Sequence, residues 1–117
     1  PSSQRSPLEL RIIKELQRAL AQDGGAPVRY RFLFTGNVQG VGFRWTNQGT
    51  ARELGLTGWV LNLDDGSVEM EIQGPSGAIK HLDTVHAYYS RMRCRVWLTE
   101  AQALDVQSNE TGFSVRY

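Results

Sequence analysis

Residues 36–44 read GNVQGVGFR, and the side-chain pattern changes period across them. Before them, Val28, Tyr30, Phe32 and Phe34 stand at every second position, the spacing of a strand with one buried face. After them a helix is predicted over 44–54, with Ala51 and Leu54 on its inner side and Gly55 closing it. A glycine-rich turn between strand and helix gathers backbone N–H groups. Gly36, Gly40 and Gly42 allow the positive φ that such an anion nest needs, without Cβ repulsion. The unpaired N–H groups of the first helical turn add partial positive charge at the same place. Arg44 stands at the mouth of that helix, where its guanidinium can grip two oxygens of a phosphate. Val38, Val41 and Phe43 alternate with the glycines and are the residues expected to hold the loop on the core. Glycine spacing alone fits a merely flexible connection; the arginine at the helix start turns the reading toward an oxyanion site.

The rest of the chain supplies the frame. Residues 1–27 look separate: Ser6-Pro7-Leu8-Glu9 has a capping-box form, and Leu8, Ile12, Ile13, Leu16 and Leu20 recur at helical spacing. Gly24-Gly25 and Pro27 stop that helix, whose apolar stripe should dock on something, since a helix this short is marginal alone. Beyond the first strand and helix, residues 56–63 form a strand, Asp64-Asp65-Gly66 a tight turn, and 67–73 the partner strand. A second helix is predicted over 76–88, opened by Gly74-Pro75-Ser76, with Ile79, Leu82, Val85 and Tyr89 on its apolar side. Residues 91–98 alternate as a further strand containing a buried Cys94, 99–112 read as polar loop, and 113–117 end the chain as a short strand. The order is βαββαβ with the last strand split or extended, which makes an α+β sandwich of a mixed, largely antiparallel sheet with two helices on one face, plus the extra N-terminal helix. The domain proper is then 28–117, and 1–27 a helical extension and linker. A right-handed first crossover makes strands one and two parallel, so Asn62, at the end of the second, comes to the edge where the glycine loop leaves the first.

Composition bounds the possibilities. The chain has 117 residues, 40% of them hydrophobic, enough for one modest core. A formal net charge of +1 gives no global pull toward nucleic acid or anionic membrane. A lone cysteine excludes an intrachain disulfide framework and suits a reducing compartment. No apolar run approaches the ~18 residues of a membrane span, and Glu9 and Glu15 argue against a transit peptide, so a cytoplasmic protein is expected.

Residues 36–44 resemble the acylphosphatase signature G-x-V-Q-G-V-x-F-R, and the stretch from Gly58-Trp59-Val60-Leu61-Asn62 through Gly66-Ser67-Val68 to Gly74 resembles that family's G-W-V-x-N-x-x-x-G-x-V signature. The resemblance covers about residues 28–117. It implies the ferredoxin-like fold and hydrolysis of the carboxyl–phosphate bond of acyl phosphates. It assigns phosphate binding to Arg44 and water orientation to Asn62, with Asn37, Val38, Gln39, Gly40, Val41, Gly42 and Phe43 forming the substrate loop. Asn37, Leu61 and Asn47 differ from residues common at those positions in the family.

The chemistry agrees with the resemblance. An acyl phosphate leaves as a carboxylate whose conjugate acid has a pKa near ~4, so no general acid is needed. The remaining work is positioning and charge stabilisation. No metal or cofactor is expected: His81 and His86 do not share a helix face and read as surface or helix-end histidines, and Asp64 and Asp65 fit a turn. The expected partner is a small acyl phosphate, with phosphate or sulfate able to occupy the loop, and a monomer is expected. The alternative is a non-catalytic RNA- or anion-binding ferredoxin-like module, since Arg91, Arg93 and Arg95 share one face of a predicted strand near Tyr88, Tyr89 and Trp97. The paired aromatic motifs of RNA-binding sheets are missing, so nucleic acid is not an expected partner. A second rival is the acylphosphatase-like domain of hydrogenase maturation enzymes; the absence of zinc-type cysteine clusters favours a free-standing hydrolase.

Overall fold

The computed structural model describes residues 4–23, 25–75 and 78–117. Helix α1 (Pro7–Asp23) is followed by β1 (Pro27–Gly36), α2 (Phe43–Glu53), β2 (Thr57–Asn62), β3 (Val68–Pro75), α3 (Ala78–Arg91), β4 (Val96–Leu104) and β5 (Phe113–Arg116). The strands form one sheet in the order β4-β1-β3-β2-β5. β1 and β2 both run antiparallel to β3 and hence parallel to each other, as the crossover argument requires. Val68 of β3 pairs with Phe34 on one side and Asn62 on the other, so the C-terminal ends of β1 and β2 lie level. β5 joins the far edge, parallel to β2. This is the ferredoxin-like α+β sandwich, with the final strand carried across the sheet to the opposite edge.

The core lies between the sheet and the helices. Phe32 and Phe34 of β1, Val60 of β2, Met70 and Ile72 of β3 and Leu98 of β4 meet Phe43 and Ala51 of α2 and Leu82, Val85 and Tyr89 of α3, all buried. α1 docks beside them through Ile12 and Leu16, against β4 and α3. Its start has the expected cap, with the Glu9 N–H donating to Ser6 Oγ at 3.1 Å. The Glu9 side chain does not complete a capping box; it binds Arg5 at 2.6 Å, and Arg5 reaches on to Asp83 of α3 at 2.8 Å. The other sheet face is polar. There Arg29, though buried, satisfies its guanidinium with Glu71, Gln73 and Glu110, which holds the 105–112 loop down, and Arg31 pairs with Glu69 and Glu100.

Several expectations need correction. The 91–98 segment is not a strand throughout: α3 continues to Arg91 and ends in a Schellman turn, with Arg93 at φ 57° and the Cys94 N–H donating to Tyr89 O at 2.9 Å. Arg91, Arg93 and Arg95 therefore do not share a strand face, Tyr89 is buried, and Cys94 is half-buried ahead of β4. β4 instead runs on through 99–104, read from sequence as loop. A bulge explains the misreading: Phe34 pairs with Leu98 but Leu33 with Glu100, so Thr99 is the extra residue and the alternation of β4 breaks there. His81 is buried, on the same stripe of α3 as Ala78, Leu82 and Val85. The expected stop at Gly24, the helix start at Ser76 and the side chain of Ile79 lie outside what the structure describes.

Candidate active site

The loop between β1 and α2 adopts the conformation its glycines permit: φ is 100° at Gly36, 76° at Gly40 and 74° at Gly42, the last being the N-cap of α2. Nothing lies within 4 Å of where a Cβ would stand at Gly40 or Gly42, so this rim of the loop is open. Among the described residues, the backbone N–H groups of 38–43 donate to no protein acceptor. Together with the first turn of α2 they supply backbone donors with partial positive charge.

Core packing and hydrogen bonds at Asn37, Gln39 and Tyr89 fix that loop. Val38 and Phe43 are buried in the core, and Val41 packs partly against it. Asn37 anchors to the stretch before β4, its N–H donating to Arg95 O at 2.6 Å and its Oδ1 accepting from the Arg95 N–H at 2.8 Å. Gln39 Nε2 donates to Leu63 O at 2.8 Å and to Ser67 O at 2.9 Å, which ties the loop to the β2–β3 turn beside Asn62. From beneath, the Tyr89 hydroxyl of α3 lies 3.1 Å from both Val41 O and Thr46 Oγ1.

A cavity of about 160 Å³ opens at the loop, lined by Val38, Gly40, Gly42, Phe43, Arg44, Trp45 and Asn62. It thus unites the two residues that topology was expected to bring to one sheet edge. Arg44 is held from the C-terminal end of the chain: Nη1 donates to Arg116 O at 2.9 Å, and its guanidinium lies 4.7 Å from the centre of the Tyr117 ring. Asn62 Oδ1 is buried with no hydrogen-bond partner among the described residues. An acceptor left so costs about 1–3 kcal/mol unless a donor arrives. The side chains of Asn37, Gln39 and Val41 do not line the cavity; the first two brace the loop from outside.

Asp65 serves the turn as expected, its carboxylate accepting from the Ser67 N–H and hydroxyl, which hold it below the usual carboxylate range. Sequence reasoning missed Tyr89 as a loop support, the brace from Arg116 and Tyr117, and the partnership of Asn47 with His81. Tyr89 could have been found, since it closes the apolar stripe of α3. The C-terminal brace left no local signal because it depends on β5 crossing to the β2 edge.

A protein-family model described as Acylphosphatase matches residues 30–115, so α1 lies outside the match. A curated acylphosphatase of Geobacillus kaustophilus (strain HTA426) is 43% identical over 90 residues, covering 76% of this chain and 94% of its own. One of Salinibacter ruber is 40% identical over 93 residues, 79% of this chain and 96% of its own. The crystal structure of acylphosphatase from Bacillus subtilis aligns with a TM-score of 0.58 at 31% identity, over 77% of this chain and 99% of that one.

Proposed function

Because the chain belongs to the acylphosphatase family and hydrolyses acyl phosphates to a carboxylate and inorganic phosphate, we propose that the 36–44 loop and Arg44 hold the phosphoryl group while Asn62 orients the attacking water. The observation that carries this reading is the single cavity shared by the loop, Arg44 and Asn62. Phosphoryl transfer passes through a loose transition state, with charge spread over three equatorial oxygens. The unpaired loop N–H groups and the guanidinium meet that charge without reorganising. Asn62 Oδ1 accepts a hydrogen bond from water and so sets the line of attack. The water oxygen bonds to phosphorus, the bond from phosphorus to the acyl oxygen breaks, and the carboxylate leaves unprotonated. The water's proton passes to a phosphoryl oxygen.

Among the described residues the cavity is lined by Val38, Gly40, Gly42, Phe43, Arg44, Trp45 and Asn62, and the proposed mechanism calls on no enzyme base. No metal is needed, phosphate or sulfate occupies the loop as product or mimic, and the chain works as a cytoplasmic monomer. Hydrolysis of a chromogenic acyl phosphate with excess chelator tests the assignment. Arg44→Ala and Asn62→Ala should each lower kcat/KM by about a hundredfold or more while remaining folded. Full activity in either variant, dependence on added metal, or a pH–rate profile demanding a base near pH 7 would overturn it.

A further inference from the structure

The indole of Trp45 is 65% exposed although it lines the cavity that contains Arg44 and Asn62. The other bulky apolar residues of that wall, Val38 and Phe43, are each 1% exposed and committed to the core. Trp45 is thus the apolar surface that a bound molecule meets. It follows Arg44 directly in the first turn of α2, beside the loop N–H groups that donate to no acceptor among the described residues. A substrate anchored there must lay its acyl group along the remaining wall.

We infer that Trp45 is a specificity-determining residue that seats the acyl group and selects aromatic or extended apolar acyl phosphates over acetyl-sized ones; this rests on the phosphoryl-binding reading of the cavity. A flat acyl group removes indole surface from water and stacks on it in an offset arrangement, whereas a two-carbon acyl group covers little of the ring. The same contact persists as the bond to phosphorus breaks, so it acts mainly on binding and should appear in KM.

The test compares benzoyl phosphate with acetyl phosphate in the full chain. In Trp45→Ala the ratio of kcat/KM for benzoyl over acetyl phosphate should fall about tenfold, mostly through KM, and Trp45→Phe should restore most of it. An unchanged ratio in Trp45→Ala would overturn the inference while leaving the hydrolytic assignment intact. Calorimetry with benzoylphosphonate and acetylphosphonate, which are not hydrolysed, supplies an independent readout. Preferential binding of the benzoyl compound that depends on Trp45, in a wild type that turns over neither substrate, would sustain the inference and sink the hydrolytic assignment. Equal binding of the two phosphonates by wild type and Trp45→Ala would sink the inference.

Discussion

Asn47 Oδ1 stands 2.7 Å from His81 Nε2, and this contact joins the helix carrying Arg44 to its neighbour, out of reach of water. Asn47 Nδ2 donates to Phe43 O at 2.8 Å, at the end of the loop, so Oδ1 must be the accepting end of the amide. His81 therefore carries its hydrogen on Nε2, and its Nδ1 is a buried lone pair without a partner among the described residues. Protonation would place an N–H there with no acceptor. Burial accordingly pushes the imidazole down to about 4.

That depression makes stability depend on pH. Below about pH 6.5 the unfolded chain takes up a proton at His81 that the folded chain refuses until about pH 4. The contribution is complete above 6.5 and is lost as pH falls toward 4, by up to about 3 kcal/mol. Glu9 lines the same small cavity as His81 and opposes this: burial raises its carboxyl against the pull of Arg5 and His86, with Asp83 adding to the rise. The folded chain therefore gains a proton at Glu9 first as pH falls, which stabilises it. Urea unfolding at pH 7 and pH 4.5 should show His81→Gln, which keeps a donor for Asn47 and cannot titrate, losing less stability on acidification than the wild type. Equal losses in the two proteins would count against the buried neutral histidine.

The loop glycines should not respond alike to alanine. At Gly36 a Cβ would stand 2.4 Å from Arg95 O, so both backbone strain and a collision with main chain result. At Gly42 the space is open and only the φ of 74° is penalised. Gly42→Ala should cost about 1–2 kcal/mol, the toll of a left-handed residue bearing a Cβ. Gly36→Ala should cost clearly more, about 3 kcal/mol or above. Denaturation midpoints measure both, and a reversed order would mean that the approach of Arg95 to Gly36 differs from the one described.

The same contrast applies along α1. Leu16 is fully buried and Leu20 is half exposed, one turn further on. Leu16→Ala should destabilise the chain by about 2–5 kcal/mol and Leu20→Ala by less than about 0.5 kcal/mol. Deleting residues 1–24 should lower Tm while leaving the acylphosphatase-matched part folded; an unchanged Tm would show that the helix adds nothing by docking.

What the sequence reveals by itself follows from where its signals are local. The strand, glycine loop and helix around Arg44, the hairpin at Asp65-Gly66 and the approach of Asn62 all depend on spacing and on one topological rule. The bulge at Thr99 was invisible because it breaks the period that reveals strands. The helix end at Arg93 was hidden for a related reason: an arginine takes the positive φ normally given to glycine, and Arg91, Arg93, Arg95 and Trp97 imitate an alternating strand. His81 was legible in principle, since 78, 81, 82, 85 and 89 form one stripe. Its polarity outweighed its position, and only Asn47 on another element makes that burial tolerable.

Tyr89 gives the sharpest separation of support from chemistry. Its ring packs 5.4 Å from that of Phe43, and its hydroxyl reaches Val41 O in the middle of the loop. Tyr89→Phe keeps the packing and removes only the hydroxyl, leaving the Val41 carbonyl and Thr46 to find other partners. The expected loss of stability is about 1 kcal/mol, too little to unfold the chain near neutrality. On the proposed role of the loop N–H groups in holding the phosphoryl group, a small shift at Val41 misaligns them, and kcat/KM should fall about three- to tenfold. The inhibition constant of inorganic phosphate should rise in parallel, since it reports the loop without the chemistry. A variant that lost stability but kept both constants would show that Tyr89 holds the core together without shaping the phosphate cradle.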